Sequence, residues 1–298
     1  MHKWLRFGRI YLICFLLFNT VFLAAQAKVG ISGTIEWDNM QINAVISLDL
    51  ASAGIKLPGG RTQGEAIIAA EYLRLIRPDI LNIQVDSSSV IADIIDQGNW
   101  TFNAVENIAL QADAVPPALS NDLKLLSASY SLGIASLSSS LIRHEHTADI
   151  PRTLSPVRTS AYTGIIIMAY DEQPVHGRKG SAFPKPCLFP KIWDTEMNLI
   201  FERNMLNPKA KYMVRYFHKG SIFSSGPSGL SKELSAVVGE NPLKIFAQGV
   251  FGINPTDPII SREDTLRIIS SAENRSLLRE GRIAIILDNS MLKETLGN

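Results

Sequence analysis

Apolar and polar positions alternate strictly between residues 40 and 50. Met40, Ile42, Ala44, Ile46, Leu48 and Leu50 fall on one side, with Gln41, Asn43, Val45, Ser47 and Asp49 on the other. A period of two puts one face of a strand in the core and the other toward water. Val29, Ile31, Ile35 and Trp37 keep the same period through Gly33, and Asp38-Asn39 between the two runs is a turn signal. The pair predicts an antiparallel hairpin. The period then changes. Ala66, Ala69, Ala70, Leu73 and Ile76 recur at three- and four-residue spacing, predicting a helix over 62–77. Thr62 and Glu65 form its capping box and Pro78 its stop. Residues 81–85 read as a short strand, 87–96 and 102–112 as helices parted at Gly98, and Pro116-Pro117 as a break. Alternation returns over 126–134, where Leu126, Ala128, Tyr130, Leu132 and Ile134 oppose small residues, and the strand is extended into the serine-rich 136–140.

Periodicity fails over 147–160, which holds Pro151 and Pro156, and a linker is placed there. Beyond it the pattern changes kind. Tyr162-Thr-Gly-Ile-Ile-Ile-Met-Ala-Tyr170 carries three consecutive β-branched residues and no polar face, the mark of a strand buried on both sides. A loop over 171–185 and paired strands over 188–193 and 199–202 follow, then a strand over 212–217. A glycine- and serine-rich loop spans 221–229, with a strand over 243–251 after it. Ser261 caps a helix with acids in its first turn and Leu266, Ile268, Ile269 and Ala272 facing inward, and 282–287 closes as a buried strand. The whole predicts an α+β protein of two domains, each a mainly antiparallel sheet packed with a few helices. The amino-terminal α+β domain takes 28–146, the linker 147–160 and a carboxy-terminal α/β domain 161–298.

The first 27 residues fit neither domain. Lys3, Arg6 and Arg9 precede an apolar run over 10–23, and Ala25-Gln26-Ala27 follows. Basic, apolar and small-residue regions in that order predict a cleavable export signal and a periplasmic or outer-membrane-associated protein. The run is shorter than the roughly 20 residues of a spanning helix. Removing it takes three positive charges from a chain of net charge +1, leaving −2, so nucleic acid is not an expected partner. It also removes Cys14 and leaves Cys187 alone, so no internal disulfide is expected.

Candidate chemistry is thin. His144-Glu145-His146 in an extended segment would put two imidazoles on one face, as a zinc site needs, but no third ligand has a recognisable spacing. Gly226-Pro227-Ser228-Gly229 lacks the second glycine position of a nucleophile elbow, and Pro227 resists its strained turn. Cys187 lacks an adjacent base and reads as a buried filler. Asp171-Glu172 ends the central strand, where sites often lie, although turn chemistry accounts for both. Gly59-Gly60-Arg61 has neither the spacing nor the lysine of a phosphate loop. No catalytic, cofactor-binding or metal-ligating residue is assigned, and no cofactor.

Residues 41–50, 60–77 and 126–134 together resemble the amino-terminal domain of flagellar assembly protein T and related small outer-membrane lipoproteins of diderm bacteria. Tyr162-Thr-Gly-Ile-Ile-Ile, Phe189-Pro-Lys-Ile-Trp-Asp194 and Leu199-Ile-Phe201 are similar to a strand, proline, strand and acidic-turn pattern of such exported proteins. Asn241-Pro-Leu-Lys-Ile-Phe-Ala247, Ile260-Ser261 and Ile283-Ala-Ile-Ile-Leu-Asp288 resemble its ending. The resemblance implies a non-enzymatic envelope protein working through contacts with envelope or flagellar proteins, itself included. An envelope hydrolase or metal-binding protein is the alternative. Export carries its own test: amino-terminal sequencing of the protein recovered from cells is expected to begin at Lys28, and full-length protein in the cytoplasm would refute it.

Overall fold

The computed structural model describes residues 29–224 and 229–297. The expected export signal lies outside them. Among the described residues the chain forms fifteen strands and seven α-helices, an α+β protein. It divides into two compact units. One holds the described residues up to Gly30 with Val45–Tyr72 and Val115–Ser129, and the other holds the remaining described residues.

The predicted hairpin is β1 (Val29–Glu36) and β2 (Gln41–Asp49), and the alternation of β2 is met residue by residue, its even positions buried. A longer helix than expected follows, α1 (Arg61–Leu81). Pro78 sits inside its last turns rather than ending it, and Ile76 and Ile80 on either side are buried, so packing carries the helix one turn past the proline. Glu65 does not complete a capping box. Its carboxylate accepts the Arg61 Nε–H at 2.9 Å. The helix lies so close on its sheet that a Cβ on Gly64 would come 2.9 Å from Leu126 Cδ2.

Next come α2 (Ile91–Asp96), α3 (Phe102–Ala109), β3 (Asp113–Leu119) and β4 (Leu125–Gly133). The prolines read as a break, Pro116 and Pro117, lie within β3, an edge strand, where one of the two adjacent nitrogens faces away from the sheet and at most one ladder bond is forgone. The expected strand over 81–85 is absent; one bridge between Gln84 and Val90 remains. The expected strand extension over 136–140 is the helix α4 (Ile134–Leu141), because Ile134, Leu137, Ser138 and Leu141 bury one helical face.

The carboxy-terminal half adds β5 (Ile165–Met168), the short pair β6 (Gln173–Pro174) and β7 (Ser181–Ala182), β8 (Ile192–Asp194) and β9 (Leu199–Phe201). After these come β10 (Arg215–His218), α5 (Lys232–Val238), β11 (Leu243–Phe246), β12 (Gly249–Phe251) and β13 (Asp257–Ile260). The chain closes with α6 (Arg262–Ile269), α7 (Ala272–Arg279), β14 (Ile283–Leu287) and β15 (Lys293–Thr295). The single helix expected from Ser261 is therefore two, each with a serine cap, Ser261 and Ser271. Ala272, expected to face inward, is exposed at the start of the second. The strand expected over 243–251 is likewise two, in different sheets.

Strand order in the first sheet is β15-β1-β2-β4-β3. Pairing is antiparallel where β15 meets β1. A second sheet, β10-β14-β5-β11, is parallel throughout, in contrast to the mainly antiparallel sheet expected in this half. The reason is in β5 and β14 themselves: every residue of both strands is buried, and strands covered on both faces belong to parallel sheets. One face packs Ile166, Met168, Phe217 and Ile286 against Leu234, Val237 and Val238 of α5. The third sheet, β12-β13-β8-β9, is mixed, parallel only between β13 and β8.

The stretch read as a linker is tethered along much of its course. Ala148 N–H donates to the Asn204 carbonyl at 2.8 Å, and Val157 N–H to Ser270 Oγ at 3.0 Å. Buried Asn274 donates to the Ser160 carbonyl at 3.0 Å and accepts from Tyr162 N–H at 3.1 Å.

Entry into β5 depends on a close approach. A Cβ on Gly164 would stand 2.4 Å from Val238 Cα and 2.5 Å from its carbonyl oxygen, both backbone atoms that cannot rotate away. Gly164→Ala is expected to cost about 1–3 kcal/mol in urea unfolding, as overpacking does. Gly30→Ala, whose new methyl meets nothing within 4 Å, should leave the midpoint unchanged.

Candidate functional site

A concavity lined largely by polar residues is built by four short segments. The first is a tight loop ahead of α2. Asp86 Oδ1 accepts Ser88 N–H at 2.9 Å, Ser88 Oγ–H at 2.9 Å and Ser89 N–H at 3.0 Å, an Asx turn that fixes the loop through one carboxylate oxygen. The second is the end of α2, where Gly98 takes φ +73° and Asn99 N–H reaches back to the Ile94 carbonyl at 3.0 Å. The third is the exit from α4, carrying Leu141, Arg143 and His144. The fourth is the 3-10 turn of Arg203–Met205. They enclose a cavity of about 540 Å³.

Its charged groups are held by neutral partners. Arg143 Nη1 donates to the Asn99 carbonyl at 2.6 Å and Nε to the Ser140 carbonyl at 3.1 Å. The Arg203 guanidinium stands 5.1 Å from the centre of the Phe189 ring, a cation–π distance. His144 Nε2 lies 2.7 Å from the Leu206 carbonyl. A carbonyl only accepts, so Nε2 carries a proton.

His144 is the one expected candidate that lines this cavity. His146 is exposed in a bend rather than beside it on an extended face, and no group of three His, Cys, Asp or Glu among the described residues could hold a metal. Asp171 and Glu172 are exposed at the end of β5, and Glu172 accepts Ser181 Oγ–H at 2.7 Å. Gly226, Pro227 and Ser228 lie outside the described residues. Gly60 leads into α1, as helix entry rather than phosphate loop. Arg203 and Asp86 were not singled out from the sequence, because no local motif distinguishes them.

Cys187 is buried, as expected of a filler, and burial pushes its thiol well above the usual range. Its surroundings were not foreseen. Cys187 N–H donates to Tyr216 Oη at 3.0 Å, and Tyr216 Oη–H donates to the Cys187 carbonyl at 2.9 Å. Next to them lies Asp257, fully buried. It accepts Thr256 Oγ1–H at 2.9 Å, Lys191 N–H at 3.1 Å and Trp193 Nε1–H at 3.5 Å, with the Ser87 hydroxyl as a further partner. Burial still outweighs these donors and raises the carboxyl above its ordinary 3.8. A carboxylate enclosed by donors from three segments is a structural clasp. Its signal in the sequence is faint, an Asp before a proline and two isoleucines.

Two family models match the chain. Residues 28–140 match the N-terminal domain of Treponema pallidum Tp0624, and residues 164–289 match its second domain. Together they cover about four-fifths of the sequence. No curated protein matches it.

The clasp makes a signed prediction. Asp257→Asn keeps the size but leaves one acceptor oxygen where two faced donors, and is expected to cost about 1–3 kcal/mol in urea unfolding. Ionised Asp257 is disfavoured in the folded state, so its penalty holds above the folded pKa. It is relieved as pH falls through that pKa toward 3.8. This gain on acidification should appear in the native protein, be absent from the Asn variant, and so show as a pH dependence of the stability difference between them.

Proposed function

For a chain that belongs to the Tp0624 family, carrying its N-terminal and second domains in order, we propose a non-enzymatic role at the cell envelope, exercised by capturing an extended segment of another protein. The observation that carries the reading is the open edge of the parallel sheet. Leu243 and Ile245 of β11 are buried while Lys244 and Phe246 are exposed. Leu243 N–H donates to the Gly164 carbonyl at 2.9 Å and Ala247 N–H to the Met168 carbonyl at 3.0 Å. In a parallel ladder the intervening residues turn their main-chain groups the other way, so Lys244 and Phe246 present them outward. An edge of this kind accepts an added strand.

Three other edges are less open to an added strand. β3 carries Pro116 and Pro117, β15 is three exposed residues long, and Arg215 of β10 is engaged on the Asp38 carbonyl at 2.9 Å. β4 is flanked by β2 and β3 and has no free side. No helix among the described residues is long and apolar enough to cross a membrane. The basic, apolar and small-residue order of 1–27 supports export to the periplasm or outer membrane. The likeness of 41–50, 60–77 and 126–134 to the flagellar assembly protein supports assembly of an envelope structure as the process served.

A photo-crosslinker at Lys244 tests this in cells. It is expected to give a discrete adduct that Phe246→Pro abolishes, because the proline removes an outward N–H and no ladder bond. The cost in stability should stay under about 1 kcal/mol. Single alanines at Asp171, Glu172, Cys187 and His144 should leave function intact. Loss of function in any one of them, with fold and adduct retained, would replace this reading with the hydrolase.

A further inference from the structure

We propose that the cavity between Arg143 and Arg203 binds a small oxyanion, the phosphate or carboxylate head of a ligand. Both arginines line it, and neither has a carboxylate partner among the described residues. Each is nonetheless held. Arg143 is anchored through Nε and Nη1 to two carbonyls, which leaves Nη2 free, and Arg203 rests on the Phe189 ring. Carbonyls and rings position a guanidinium without neutralising it. What remains is two pre-oriented guanidiniums lining one space, Arg143 offering Nη2, and such a pair of positive charges can hold an oxyanion. Holding the side chains in advance removes part of the ordering cost of binding.

A second observation is independent of the charges. Ser89 lines the same cavity, is 8% exposed, and its Oγ has no hydrogen-bond partner. A buried hydroxyl without a partner is destabilising, and such groups call for a ligand or water. Gln97 and Asn99 add neutral amide groups around it. The volume of about 540 Å³ suits a small molecule rather than a peptide chain.

Asp86 also faces the cavity and opposes an anion. Three donors from Ser88 and Ser89 converge on its Oδ1 and offset part of its charge. Its presence gives the proposal a sign that a nonspecific basic patch would lack. Asp86→Asn keeps the Oδ1 acceptor and the turn while deleting the like charge, so it should tighten oxyanion binding.

The test is calorimetric titration of the protein comprising residues 28–298 with inorganic phosphate and, separately, with acetate. Saturable binding at one site is expected, tighter for phosphate, which offers more charge to two guanidiniums. Arg203→Gln should weaken it by about tenfold or more, and Asp86→Asn should strengthen it severalfold. Arg143→Gln should weaken it equally. Should that variant fail to fold for want of its two carbonyl bonds, Arg143→Lys keeps the charge and should still lose the forked contact. Urea midpoints check each variant. No saturable heat with either anion overturns the proposal, as does an affinity indifferent to both Arg203→Gln and Asp86→Asn. Phe246→Pro should bind phosphate as the native protein does, so failure here and failure of the edge-contact reading are separable.

Discussion

A strand with no exposed residue cannot stand at a surface, and β5 is such a strand: Ile165, Ile166, Ile167 and Met168 are all buried. Its two faces and both its hydrogen-bonding sides must therefore be filled by something else. β14 and β11 fill the sides. On one face α5 presses Leu234, Val237 and Val238 onto Ile166 and Met168, and its approach is so tight that residue 164 has no room for a side chain. On the other face of the sheet Tyr216 is buried, its ring meeting Trp37 edge-on at 5.8 Å. Trp37 comes from the turn of the amino-terminal hairpin and donates its indole N–H to Glu294 at 2.9 Å. Filling the surroundings of one apolar strand thus recruits residues from both family-level domains.

That recruitment buries polar groups, which must then find partners inside. Tyr216 and Cys187 exchange two hydrogen bonds, and Asp257 collects donors from residues 87, 191, 193 and 256. Buried acids of this kind are weak evidence for net stability, since desolvation opposes the gain from each donor. Specificity is their better-supported use: the Asp257 cage is complete only when β8 and β13 are in register and the loop at Ser87 is seated. The neighbouring main chain agrees. Leu188 and Phe189 donate to the Gln84 and Val85 carbonyls at 3.0 and 2.8 Å, and Asn254 N–H to the Ser87 carbonyl at 2.8 Å.

The alternation of 40–50 and the unbroken apolar run of 165–167 carried β2 and β5 directly, because one-face and two-face burial leave distinct periods in a sequence. Pairing sense did not show in the same way. A four-residue apolar run looks alike in parallel and antiparallel sheets, and only the covering helix α5, whose seven residues are too few for a clear period, decides between them. Geometry overrules the reading of prolines as breaks and of the serines over 136–140 as strand. Pro116 and Pro117 sit on an edge strand where at most one of their nitrogens faces the neighbouring strand, Pro78 rides in a helix held by Ile76 and Ile80, and the serines after Gly133 wind into α4 around Leu137 and Leu141. The cavity was the least legible feature. Only His144 drew notice, for its proximity to His146, whereas the groups that matter are spread over Asp86, Arg143 and Arg203, and no local spacing links residues that far apart.

The same distance in sequence explains why the cavity is a built feature rather than an accident of packing. A surface arginine left to itself gains little from any one contact and loses side-chain freedom in making it. Arg143 gives up that freedom for two carbonyls on different helical ends, Ser140 from α4 and Asn99 after α2. Arg203 gives it up for a ring whose own main chain is bound to Val85. Every support of the pair is neutral, and each is itself fixed by main-chain hydrogen bonds or a helix end. Neutral supports preserve charge where ion pairs would cancel it, as they do for Arg267 and Arg279 on the outer helices, each engaged with nearby carboxylates. The chain therefore treats its arginines in more than one way. Several outer arginines are neutralised, others such as Arg178 and Arg275 are held by carbonyls, and the two at the cavity keep their charge where Ser89 also lacks a partner.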